Sequence, residues 1–346
     1  LKAAARTPRA ARAGATPAEG DVPSSTPLPA PADDFAEAEL APLRGLRARF
    51  QGGLLGLATC DALAAGTQFR RAGSFTPVGD LLGGGPFDLP RGAWSDDTAM
   101  ALCLAESLLE ARGCDIADQR ARYARWQREG HLSATGQCFG ISADMARAIA
   151  HDDGDAQAAG AHGAEPLVRL LPVVLHAWGD RERLYAWATA SARATGASPL
   201  AMDAARLLAG MLHAALAGAS VARIVRHERR RFAAAPLCEP VAALAAADPH
   251  RRPEPTGIAA IDVLAAARWC LAGTKSFRAG ALQAANLGGD SDQVGAVFGQ
   301  LAGLHYGVGA IPRGWRESLA RHDLLVDVAD QLLRDSLLAI DAEDAP

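Results

Sequence analysis

From Gln51 onward the chain is a succession of Ala- and Leu-rich runs. Their apolar residues recur at helical spacing, Gly and Pro mark the breaks between them, and convincing period-two alternation is absent. Apolar residues that return three and four places apart form a stripe on one helix face, and such a face is buried against other helices. The runs cover Gly53 to Ala65, Thr98 to Ala111, Ile116 to Glu129, Ser142 to Ala150, Pro166 to Trp178, Arg181 to Thr195, Pro199 to Ala217, Val221 to Ala234, Thr256 to Leu271, Ser276 to Asn286, Gln293 to Tyr306 and Gly314 to Leu338. A first helix is expected over Asp33 to Arg49, with Asp34 as its cap. The pattern predicts an all-α fold, a single compact multi-helix domain over residues 39–340. Residues 1–38 are rich in Ala, Pro, Thr and Arg with almost no large apolar side chain, which predicts a disordered or partner-dependent tail.

Composition excludes several classes. With 49% apolar residues the chain can bury a sizeable core. A formal net charge of -4 and a pI near 6.2 give no electrostatic reason to expect nucleic acid as partner. The six cysteines are scattered without a C-x-x-C pair, so neither a zinc ribbon nor a disulfide framework is indicated, and a reduced, cytoplasmic setting is the expectation. No apolar run reaches bilayer length, and no signal-peptide core precedes the helices.

Two short segments concentrate the chemistry: Trp94-Ser95-Asp96-Asp97-Thr98 and Asn286-Leu287-Gly288-Gly289-Asp290-Ser291-Asp292-Gln293. Each stands before a helical run. A single Asp there would be an ordinary helix cap. Two Asp flanked by hydroxyls exceed what a cap needs, and the glycines of the second segment allow a tight turn with close backbone approach. Four carboxylates with neighbouring hydroxyl and amide oxygens form a hard donor set suited to Mg²⁺, Mn²⁺ or Ca²⁺. Joined by folding, the segments would make a two-metal site of the kind that activates water. Two loops stand out near them. Leu82-Gly83-Gly84-Gly85-Pro86-Phe87 is expected as a wall or lid, with an ordinary turn-rich connection as the alternative. Ser133 to Gly140 carries Phe139, expected either to stack on a ligand's adenine or to pack in the core.

Four stretches together resemble the ADP-ribosylglycohydrolase family: Gly53 to Ala58 with Asp61-Ala62-Leu63; Trp94 to Leu102; Leu167-Val168-Arg169-Leu170-Leu171-Pro172-Val173; and Asn286 to Asp292 continuing through Gly299-Gln300-Leu301-Ala302-Gly303. The resemblance runs from about Gln51 to Leu319. It implies an all-α fold with two Mg²⁺ (or Mn²⁺) between helices, held by Ser95, Asp96 and Asp97 on one side and Asp290, Asp292 and Gln293 on the other. It implies hydrolysis of the bond between ADP-ribose and a protein side chain, commonly arginine, with Asp97 and Asp292 as catalytic carboxylates. Asp61, Gln68, Asn286, Gly288, Gly289, Ser291 and Phe139 would surround the substrate.

The chain departs from the family pattern in places. Gln293 follows the last acid where Thr or Ser is usual, and Gln68 stands where many members have Glu; Gln cannot act as a general base. Cys60 replaces the glycine before Asp61. Gly163-Ala164-Glu165-Pro166 stands for a Gly-Asn-Gly-Ser segment, and Thr195-Gly196-Ala197 lacks a usual His. Beside an active hydrolase, two alternatives therefore stand. One is a weakly active or inactive binder of ADP-ribose or a partner, such as an immunity protein whose residues 1–50 block an ADP-ribosylating toxin. The other is a hydrolase of a different ribosyl compound. The remaining features have bland readings: His305, Trp178 and Trp187 as packing residues, and Arg226 to Arg231 as a solvated helix face.

Overall fold

Several helix starts among the described residues coincide with side chains that cap them. The computed structural model describes residues 37–150, 163–226, 235–253 and 259–343. Its helices are α1 (Glu37–Ala64), α2 (Asp96–Ala111), α3 (Ile116–Glu129), α4 (Ala143–Ala150), α5 (Glu165–Val168), α6 (Leu171–His176), α7 (Arg181–Arg193), α8 (Pro199–Leu216), α9 (Val221–Val225), α10 (Glu239–Ala246), α11 (Ala260–Gly273), α12 (Phe277–Ala285), α13 (Ser291–Tyr306), α14 (Arg313–Ser318) and α15 (His322–Glu343). Ser95, Asp115, Asp180, Ser198 and Ser276 each accept a hydrogen bond from a first-turn backbone N–H of the helix they precede, which satisfies donors that the helix cannot. Among the described residues, extended pairing is confined to two isolated bridges, Gly84 with Leu89 and Gly163 with Ala259. The fold is all-α, as the periodicity predicts.

Several expected boundaries are corrected. Asp33 to Arg49 and Gly53 to Ala65 are not two helices. α1 runs unbroken to Ala64, and Pro42 lies inside it. Gly52 and Gly53 do not break this helix, because their faces are packed against the end of α13 and the turn after it. Pro166 to Trp178 divides into α5 and α6 at Arg169-Leu170, where each short helix begins around its own proline. Gly314 to Leu338 divides into α14 and α15. Arg321 takes a left-handed φ of 52°, and Ala320 is held to the α2 approach by Ala320 N to Gly92 O (2.9 Å) and Trp94 Nε1 to Ala320 O (2.9 Å). The tail expected over residues 1–38 lies outside the described residues as far as residue 36, as do Asp34 and positions 227–234 of the run expected over Val221 to Ala234.

The core is one apolar cluster around α13. Leu54 and Leu57 of α1, Leu102 and Leu104 of α2, Leu208 and Leu212 of α8, Leu264 of α11 and Val297 and Leu301 of α13 are fully buried in it. Helices α12, α11, α8, α5 and α2 all pack on α13. Its glycines explain the closeness to α1. A Cβ on Gly299 would collide with Gly56 O, one on Gly303 with Gly52 O, and one on Gly295 would stand 2.8 Å from Cys60 O. The two helices thus touch backbone to backbone, as small residues permit. That contact places the C-terminal end of α1 beside the N-terminal end of α13.

Candidate functional site

The site is built where the N-termini of α2 and α13 face each other over the end of α1. Asp61, buried near the end of α1, accepts the backbone N–H of Ser95 at both oxygens (3.0 Å each), the N–H of Thr98 (3.2 Å) and the Thr98 hydroxyl (2.6 Å). Its carboxylate is therefore committed to α2 and fixes the angle at which Asp96 and Asp97 enter. Ser95 caps α2 by accepting from Asp97 N at 3.3 Å. Asp97 is 2% exposed, whereas Asp96 is half-buried.

The opposite wall is a glycine turn. Gly288 and Gly289 adopt φ of 75° and 63°, values that L side chains rarely take. They allow a reciprocal backbone pair, Phe69 N to Gly289 O and Gly289 N to Arg70 O, both 2.8 Å. This pair ties the segment after α1 to the start of α13. Gln68 is thereby brought under Asp292, and its amide Nε2 donates to Asp292 Oδ2. Asn286 turns away from the acids. Its Oδ1 accepts Val78 N (2.8 Å), and its Nδ2 donates to Val78 O (3.0 Å) and Leu282 O (2.8 Å). Ser291 is fully buried with its hydroxyl 3.1 Å from Thr67 Oγ1. Asn286 and Ser291 thus brace the turn, while Asp290 and Asp292 lie near enough to the α2 acids for their charges to act on Asp97.

The electrostatics are those of carboxylates crowded out of water. Burial pushes Asp97 and Asp292 well above the ordinary carboxylate value, and the charges of the neighbouring acids add to the effect, with Asp292 acting on Asp97 and Asp96 on Asp292. Asp96 is pushed up to about 7 by burial, then by Asp61 and Glu165. Asp290 is pushed up to about 6 by burial and then by Glu165. Buried polar atoms are normally hydrogen-bonded. Here Asp97 Oδ2, Asp292 Oδ1 and Gln293 Oε1 are buried without a partner. Among the described residues no three His, Cys, Asp or Glu side chains form a ready-made metal cage. The fit to a hard cation rests instead on these unpartnered oxygens and on an all-oxygen donor set.

Loops close the sides. Gly85 turns at φ 75°, where a Cβ would run into Ala65 O, and so lays Phe87 on Phe139 with ring centroids 5.5 Å apart. These rings join Ala65, Leu89, Ala93 and Ala134 in a small apolar cluster beside the end of α1. The next residue, Gly140, packs on the Asp96 carboxylate, where a Cβ would collide with Oδ1. The glycine-rich loop thus forms a wall that supports Phe139. Sequence reasoning assigned no role to Glu165 or Phe69. Glu165 faces Asp96 and Asp290 from α5. Phe69 is 61% exposed in a left-handed conformation (φ 61°) between Gln68 and the glycine turn. The departure at Gly163-Ala164-Glu165-Pro166 marked the stretch that holds Glu165 but not the side chain, and nothing marked Phe69.

A family model described as ADP-ribosylglycohydrolase matches residues 42–340. An ADP-ribosylarginine hydrolase, Tri1, of Serratia proteamaculans (strain 568) is 33% identical over 294 residues, covering 82% of this chain and 78% of its own length. The ADP-ribosyl-[dinitrogen reductase] glycohydrolase of Rhodospirillum rubrum is 30% identical over 306 residues, covering 84% and 96%. A solved structure titled ADP-ribosylglycohydrolase-related protein complex superposes with a TM-score of 0.75 at 39% identity, covering 85% of this chain and 99% of that one.

Proposed function

The chain belongs to the ADP-ribosylglycohydrolase family, and from that premise we propose that it removes ADP-ribose from modified arginine side chains by metal-assisted attack of water at the ribose anomeric carbon. Two relatives near one-third identity are ADP-ribosylarginine hydrolases, which supports arginine as the acceptor. The observation that carries the reading is the pair of buried, unpartnered oxygens, Asp97 Oδ2 and Asp292 Oδ1, at the meeting helix N-termini.

Ser95, Asp96, Asp97, Asp290, Asp292 and Gln293 would hold two Mg²⁺ or Mn²⁺. A divalent cation bound there supplies Lewis acidity toward water and the ribose hydroxyls. The protein's own part is positional and protonic. Asp61 sets the α2 acids, and Gln68 holds one oxygen of Asp292 so that the other stays directed inward. The Asp97 carboxylate takes the proton of the attacking water as the new C–O bond forms and the C–N bond to the guanidino nitrogen breaks. Asp97 returns that proton to the departing nitrogen, so that arginine is restored and the carboxylate is free again.

A second reading keeps binding and loses turnover. The Gln68 amide on Asp292 Oδ2 favours it, because an uncharged group stands where a proton-transferring carboxylate would serve. Release of ADP-ribose from an arginine-ADP-ribosylated protein separates the two. It should require Mg²⁺ or Mn²⁺, stop with EDTA, and be absent in Asp292→Ala. A wild-type chain that binds ADP-ribose but releases none would overturn the hydrolase reading.

A further inference from the structure

Glu165 stands beside the acids on a rigid mount. It opens α5, whose last carbonyls, Leu167 O and Val168 O, accept the side-chain amide of Gln300 from α13 at 3.1 and 2.8 Å. Its own carbonyl accepts Arg169 Nη1 at 3.0 Å. The Arg169 guanidinium is fully buried over the Tyr123 ring and also donates to Thr195 Oγ1 at 2.6 Å. One carboxylate oxygen of Glu165 accepts the Ser142 hydroxyl at 3.3 Å. The other occupies the space a side chain on Gly163 would need. Ser142 lies two residues beyond Gly140, which packs on Asp96, so one short loop touches both carboxylates.

Among the described residues the side chain of Glu165 bonds to Ser142 and to no cationic group. It is half-exposed, and its charge reaches Asp96 and Asp290, the first acid of each pair. A fixed negative charge added to a crowded acidic centre is unfavourable unless a cation answers it. In the reading above, the deep oxygens of Asp97 and Asp292 would serve a metal. Glu165 approaches from a third element, on the side of the more exposed acid. The proposed substrate carries one group that matches it, a planar guanidinium, whose paired N–H donors fit a carboxylate.

We propose that Glu165 receives the guanidinium of the arginine from which ADP-ribose is cleaved and so selects a cationic acceptor. This rests on the arginine reading above. It has a consequence for release: once the bond is cut, the free ADP-ribose is an anion beside Glu165 with no attached cation to hold it there.

The test uses the full chain with Mg²⁺. It measures kcat and KM on an arginine-ADP-ribosylated peptide, inhibition by free ADP-ribose, and Mg²⁺ affinity for wild type, Glu165→Gln and Glu165→Asp. Glu165→Gln should raise KM at least about tenfold, as loss of one charge-assisted pair does, with ADP-ribose inhibition unchanged or stronger, and Glu165→Asp should recover part of the loss. An unchanged KM would overturn the proposal. So would parallel weakening of peptide and ADP-ribose, which marks a structural role, or a fall in Mg²⁺ affinity, which marks a metal ligand. Should the wild type hydrolyse nothing, the hydrolase reading fails by itself. The ratio of peptide to ADP-ribose affinity, read by competition, then decides on Glu165 in the same way.

Discussion

Asp97 and Asp292 each keep one buried oxygen without a partner while other acids raise their proton affinity. Such a group carries a strain that a cation would relieve, and its pH signature follows. A carboxylate raised above its ordinary 3.8 keeps its proton in the folded chain after the unfolded chain has lost it. These acids therefore favour the metal-free fold fully below about pH 4, and the benefit is lost as pH rises through about 6 for Asp290 and about 7 for Asp96. Asp97→Asn removes one of the repelling charges. In EDTA at pH 8 its Tm should exceed that of the wild type, with the difference closing near pH 4. In Mg²⁺ the order should reverse, and hydrolysis should fall by about a hundredfold or more. A variant with the same Tm as wild type at every pH would show that the acids do not repel. Gln68→Glu tests the same balance from the other side. A carboxylate replacing the amide that donates to Asp292 should lower the metal-free Tm and make it depend steeply on Mg²⁺.

At the scale of elements, the α1–α13 contact is the piece on which the acids depend, since it puts Asp61 and Asp292 in register. Gly299→Ala would drive a methyl into Gly56 O, so the helices must separate, at a cost of about 1–3 kcal/mol or more, seen as a lowered denaturation midpoint. Gly45→Ala, within α1 but facing open space, should instead stabilise by up to about 1 kcal/mol. Equal effects at the two positions would mean that helix propensity, not contact, governs both. This contrast also shows what the sequence can and cannot reveal. The glycines of α13 are legible as a close-packing signal because they recur within one helical run, and the start of α2 is legible to within two residues, at Thr98 with an Asp cap where the helix opens at Asp96 under Ser95. The break of Pro166 to Trp178 into two helices is not, because α5 is held by Gln300, a group from α13. The segment of Glu165 was legible as a departure from the family pattern, but its place beside Asp96 was not, since that arises from the Ser142 loop and from α13.

At the scale of the whole molecule, the centre joins residues far apart in the chain, from Asp61 in α1 to Gln293 in α13, so closing it with a cation links metal binding to global stability. For one site held at a hundredfold excess over Kd this linkage adds about 2.7 kcal/mol. Mg²⁺ should therefore raise the wild-type Tm and leave the Tm of an Asp97→Asn, Asp292→Asn double variant unmoved. The same map bounds what residues 1–36 can contribute. No residue assigned to the centre lies among them, and no described helix is long and apolar enough to cross a membrane. A chain lacking residues 1–36 should keep its Mg²⁺-induced Tm shift and a kcat/KM on arginine-ADP-ribosylated protein within about twofold of the intact chain, the range of changes remote from a site. If the segment blocks an ADP-ribosylating enzyme, the deletion should register only in binding to that enzyme. A loss of turnover with an intact Tm shift would instead make residues 1–36 part of the substrate-binding surface.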